Sequence, residues 1–145
     1  MQPFCASGQT YLVTGYTHPP YRDTLGHLLA KTARYDRTMI VRGVEGSIQL
    51  PLDRRAPCIV DGDDDFVRPE DFGCADVGAV SEPSLSALES LTAGLSVLRG
   101  DDHGVSRKIV LYLARVIIQK FNVTPSVSLE EALDSGLALS AWNRF

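Results

Sequence analysis

The apolar positions follow two different periods, and the change from one to the other marks the elements. Residues 10–15, TYLVTG, form a short apolar run closed by Gly15, which predicts a buried strand. THPPYRDTLGHLLAKTA follows. Pro20 suits the first turn of a helix, where a missing N–H costs little, and Tyr21, Leu25, Leu28, Leu29 and Thr32 recur at helical spacing, predicting one buried face. TMIVRG at 38–43 is β-branched and apolar at successive positions, the signature of a parallel strand covered on both faces. Strand, helix and strand in this order make one βαβ unit.

From Ser47 to Leu52 the period returns to two, with Ile48 and Leu50 alternating with Ser47 and Gln49, which predicts another strand. CIV and FVR then flank DGDDD, a hairpin pattern with its acids at an exposed tip, and RPEDFG reads as a turn. Residues 74–83 read as a loop. Leu85, Leu88, Leu91, Leu95 and Leu98 predict a helix with one apolar stripe, stopped by Gly100. Ile109 to Phe121 is apolar on most sides, with only Lys108, Arg115 and Gln119 as a polar stripe, so this helix is expected to be central. Ser128 and Glu131 have the spacing of a capping box for a final helix. The expected fold class is α/β: a partial parallel sheet with a βαβ unit and a hairpin, followed by packed helices, all within one domain over 1–145.

Composition narrows the function. The 145 residues suffice for a sizeable core, and 44% hydrophobic with 22% charged residues is ordinary globular composition, which excludes a disordered or collagen-like chain. A net charge of -4 argues against a dedicated nucleic-acid binder, whose phosphate contacts need a basic surface. Cys5, Cys58 and Cys74 are odd in number and lack metal-like spacing, so reduced thiols in the cytoplasm are expected. The opening residues carry no charged-then-apolar leader pattern, and no apolar run is long enough to span a bilayer, so no membrane partner is expected.

Candidate chemistry is sparse. An EF-hand loop starting at Asp61 would need glycine and glutamate where Phe66 and Phe72 stand, so DGDDD is read as turn chemistry and no metal site is expected. His18, His27 and His103 do not pair at metal spacing. No nucleophile elbow occurs, and no catalytic residue is assigned. His18 sits at a strand-to-helix junction, where sites of parallel sheets often lie, although a structural role is the simpler reading. Gly43-Val44-Glu45-Gly46 is the densest glycine cluster; it favours a tight turn over an anion cradle, which needs closely spaced glycines with converging N–H groups. The candidate ligand- or phosphate-facing residues are therefore His18, Arg42, Gly43, Glu45 and Gly46.

GYTHPPY, TMIVRGVEGSIQLPLDR, RPEDFG and SLEEALDSGLA, in that order, resemble the carboxyl-terminal half of anthranilate phosphoribosyltransferase family proteins. The likeness runs from about Gln9 to Ala138. It is greatest to a divergent branch with a similar His-Pro after the strand and a similar GxEG turn. The resemblance implies transfer of a phosphoribosyl group from phosphoribosyl pyrophosphate to the amine of anthranilate, with magnesium neutralising the diphosphate. It also implies a glycine-rich diphosphate loop and an amino-terminal helical domain upstream of everything this chain matches. In the catalytic branch an Asp-Glu pair that binds magnesium follows the turn; here that pair falls on Ile48 and Gln49, and Glu45 matches a different acid. Leu113 stands where the family usually has asparagine.

The expectation is thus a pseudoenzyme or one half of a split enzyme, inactive alone and without a cofactor of its own, needing a second chain that carries the missing half. The alternative is a non-catalytic nucleic-acid-binding or protein-interaction module, with Arg22, Arg54 and Arg55 beside Arg42 as its basic face.

Overall fold

The computed structural model describes residues 4–6, 8–32, 34–74 and 86–144. It is an α/β protein that divides into two compact units, Met1–Asp71 and Phe72–Phe145. The loop expected beyond Cys74 and the stripe position Leu85 lie outside the described residues, as does the Cys5 side chain.

The first unit is built on a five-stranded sheet in chain order: β1 (Phe4–Ala6), β2 (Gln9–Gly15), β3 (Arg37–Val41), β4 (Ala56–Val60) and β5 (Asp63–Val67). β2 and β3 are parallel, with Tyr11 opposite Arg37 and Gly15 opposite Val41, and α1 (Pro19–Thr32) makes the crossover. The remaining pairings are antiparallel. This is the expected partly parallel sheet with one βαβ unit. β3 is buried at Met39, Ile40 and Val41, hence on both faces. On one face Ile40 and Ile59 pack with Tyr16, and α1 adds Leu25 and Leu29. The α1 stripe is narrower than its spacing suggests: Tyr21 is 59% exposed and Leu28 also faces solvent. The helix therefore meets the sheet along Leu25 and Leu29, one turn apart.

The hairpin forms, with a tighter turn than DGDDD implies. Val60 pairs with Asp63, so the loop is only Asp61-Gly62. Both residues have positive φ, 53° and 98°, as a two-residue turn matching strand twist requires. Asp63, Asp64 and Asp65 thus belong to strand β5.

Ser47–Leu52 is not a strand. The chain makes a 3-10 turn at Val44–Gly46 and then runs on without ladder partners. Local hydrogen bonds win over alternation here: the Val44 N–H donates to the Gln49 carbonyl (2.8 Å), the Ser47 N–H to the Val44 carbonyl (2.9 Å), and the Gln49 N–H to Ser47 Oγ (3.1 Å). Pro51 then removes a ladder donor.

In the second unit, α2 (Ala87–Leu98) starts at a complete capping box between Ser86 and Glu89 and stops before Gly100. Its leucine stripe is only half buried. Leu88 is 72% exposed and Leu91 faces solvent, while Val97 enters a core with Leu111 and Leu133. α3 (Val105–Phe121) is amphipathic with a broad apolar face, burying Leu111, Tyr112, Val116 and Phe121. The expected final helix is two short ones, α4 (Leu129–Asp134) and α5 (Leu137–Trp142), separated at Gly136 with φ 75°. Ser128 caps α4 by accepting from the Glu131 N–H. Arg115 joins this unit's parts, donating to the Phe72 carbonyl (3.2 Å) and pairing with Glu130. Among the described residues no helix is long and apolar enough to cross a membrane.

Candidate functional site

A parallel strand pair delivers the residues after both strands to the same end of the sheet, the place where open α/β sheets most often bind ligands. Here β2 leads to Tyr16-Thr17-His18 and β3 leads to Arg42 and the Gly43–Gln49 turn. The Tyr16 N–H donates to the Val41 carbonyl (2.9 Å), so the two exits stay side by side.

Three glycines let the turn lie flat on this end. A Cβ on Gly15 or on Gly43 would overlap the same atom, the Ser47 carbonyl oxygen. That carbonyl is thus seated against both strand exits, which only a glycine at each position permits. Gly46, at φ 78°, closes the turn, and a Cβ there would come within 2.5 Å of Thr17 Oγ1. Glu45 precedes it in the left-handed region, with φ 52° and ψ 29°. Gly15 and Gly43 serve close packing of backbone on backbone, and Gly46 that of backbone on the Thr17 side chain. For Gly15 the signal in the sequence is a glycine closing one strand as Gly43 closes its parallel neighbour, whereas Thr17 carries no such signal.

The candidate ligand-facing residues His18, Arg42, Gly43, Glu45 and Gly46 do share this end of the sheet. The chemistry on offer there is limited. His18 is exposed, its ring 6.1 Å from that of Tyr21, and its carbonyl accepts from the Tyr21 N–H in the first turn of α1. That helix begins with Pro19 and Pro20, neither of which has an N–H to offer an anion. The N–H groups of Val44, Ser47 and Gln49 are engaged inside the turn. Arg42 is exposed and without an ion-pair partner among the described residues. Ile48 and Gln49 are both exposed, and neither the alkyl group nor the neutral amide is a magnesium ligand of the acidic kind. The acid pair and anion cradle that magnesium and a diphosphate require do not fit these residues. Among the described residues no three His, Cys, Asp or Glu side chains gather as a metal site.

Of the three arginines expected on a basic face, Arg22 lies in α1, while Arg54 and Arg55 lead into β4 at the end of β3, where the Arg42 N–H donates to the Pro57 carbonyl (3.0 Å). Arg22 pairs with Asp64, Arg54 with Asp53 (3.0 Å), and Arg55 lies 4.8 Å over the Phe66 ring. Asp64 and Phe66 are two apart on β5, so Arg22 and Arg55 come to the same face of that strand, each engaged by it. Leu113 is half buried in α3.

No family model and no curated protein matches this chain.

Proposed function

We propose that this chain is the carboxyl-terminal α/β segment of an anthranilate phosphoribosyltransferase-like protein, and that by itself it does not transfer phosphoribosyl groups. The observation that carries the reading is the Gly43–Gln49 turn. It lies at the carboxyl end of a parallel pair, held by glycine contacts that shape a loop, and it ends in Ile48-Gln49 where the catalytic branch places its magnesium-binding acids. Scaffold is retained while ligands are absent. Leu113 in place of asparagine points the same way.

The role that remains is partnership with a second chain bearing a glycine-rich diphosphate loop. Leu88 and Leu91 on α2 and Trp142 on α5 are exposed apolar side chains suited to such a contact. Cys58 and Cys74 are buried cysteines, which suits a reducing, cytoplasmic setting. Titration calorimetry with phosphoribosyl pyrophosphate and magnesium tests the reading. The isolated chain is expected to give no saturable heat. Saturable, magnesium-dependent binding would show a competent transferase site and end this account.

A further inference from the structure

At the opposite end of the parallel pair, where β3 begins, the first unit holds a second feature, independent of the turn just described. A cleft of about 230 Å³ opens between the carboxyl-terminal half of α1 and the β4–β5 turn. Its floor is apolar: Leu29, Ile40 and Ile59. One wall is small, formed by Gly26 and Ala30 one helical turn apart. Asp36 and Asp61 stand at the rim, with the half-buried Tyr35 beside them.

The two carboxylates are held rather than free to swing. Asp36 accepts from the Thr10 N–H (2.6 Å) and Thr10 Oγ1 (2.9 Å), and these bonds keep its carboxyl below the usual range, hence ionised. It has no cationic partner among the described residues. Asp61 accepts from the Thr38 N–H (2.7 Å) and from Arg37 Nε (2.5 Å), so its charge is partly met. The last turn of α1 brings the negative end of the helix dipole to the same side, offset in part by Lys31 in that turn.

Gly26 shapes the wall of the cleft. It lies inside α1, has no positive φ, and a Cβ there would meet nothing within 4 Å. Neither backbone geometry nor packing asks for glycine, which weakens a helix relative to alanine. What the missing side chain does is leave the cleft open.

We infer that this cleft binds a small primary ammonium compound, its apolar body on Leu29, Ile40 and Ile59 and its ammonium group at Asp36. An ammonium offers three donors and no acceptor, which suits a rim of fixed carboxylate oxygens. The cleft is too small for a peptide segment and has the wrong sign for a phosphate.

The test uses the whole chain and phenethylammonium as probe, followed by ¹H–¹⁵N correlation spectra. Saturable shifts are expected at the Gly26, Thr38 and Gly62 amides. 2-Phenylethanol, the neutral counterpart, is expected to move the same amides more weakly, and phenylacetate not at all. Gly26→Leu should melt higher, by helix propensity, and lose the shifts. Asp36→Asn keeps an acceptor for Thr10 and should weaken the ammonium about fivefold, to the level of the alcohol. The inference is overturned if those amides stay still with phenethylammonium, if folded Gly26→Leu retains the shifts, or if phenylacetate binds as well as the cation.

Discussion

Gly43 and Gly94 show how one residue type can serve opposite ends. Gly43 has the Ser47 carbonyl where its Cβ would go, whereas Gly94 sits within α2 with open space around that position. Gly43→Ala should therefore destabilise the first unit by about 1–3 kcal/mol through overpacking. Gly94→Ala should stabilise by about 0.5–1 kcal/mol through helix propensity. Urea melts of the two variants check both signs, and a stabilised Gly43→Ala would mean that the turn does not lie on the strand ends. Asp36 supports a second prediction. Its folded carboxyl is held below the usual 3.8, first by the Thr10 N–H and then by the Thr10 hydroxyl. The linked stability is complete above that usual value and is lost as pH falls through the depressed one. Asp36→Asn should therefore flatten the acid limb of the stability curve below about pH 4. A variant whose acid limb matches the parent's would remove Asp36 as a contributor. Little of this was legible in the sequence. The role of Asp36 depends on a parallel register that sets Thr10 beside it, and that of Gly43 on where a carbonyl four residues later comes to rest.

At the scale of elements, periodicity located the first two long strands and the helices, because each spans enough residues for its spacing to show. It failed where a short pattern met stronger local forces. Ser47–Leu52 alternates like a strand, but three turn hydrogen bonds and Pro51 take the backbone another way. In α2 the leucines repeat like a buried stripe, yet spacing identifies a face and not how far along the helix its cover extends. Leu133, buried with Val97 and Leu111, and Leu88, at the exposed start of α2, separate these cases. Leu133→Ala should cost about 2–5 kcal/mol, and Leu88→Ala should change stability by less than about 0.5 kcal/mol. Denaturant midpoints decide the matter; a large loss at Leu88 would place a cover on that half of α2. The amine cleft was invisible for a different reason: its lining comes from α1, the start of β3 and the β4–β5 turn, segments no linear pattern brings together.

For the whole molecule, the carboxyl end of the β2–β3 pair carries the tight Gly43–Gln49 turn, and the proposal is that this turn keeps the shape of a magnesium-binding segment without its acid pair. The strand order made the His18 and Gly43–Gly46 segments neighbours, and this followed from the βαβ reading alone. That Ile48 and Gln49 stand where acids would be expected is what the resemblance implies; the seating of the Ser47 carbonyl against Gly15 and Gly43 was not legible in the sequence. The most direct test restores what is missing. In Ile48→Asp with Gln49→Glu, adjacent carboxylates join Glu45 on one exposed turn and repel until a cation neutralises them. Thermal melts of parent and double variant, with and without magnesium, are the measurement. The account predicts a parent indifferent to magnesium, and a variant that melts lower without it and recovers in its presence by ligand linkage. A parent stabilised by magnesium, or a double variant that ignores it, would contradict the account.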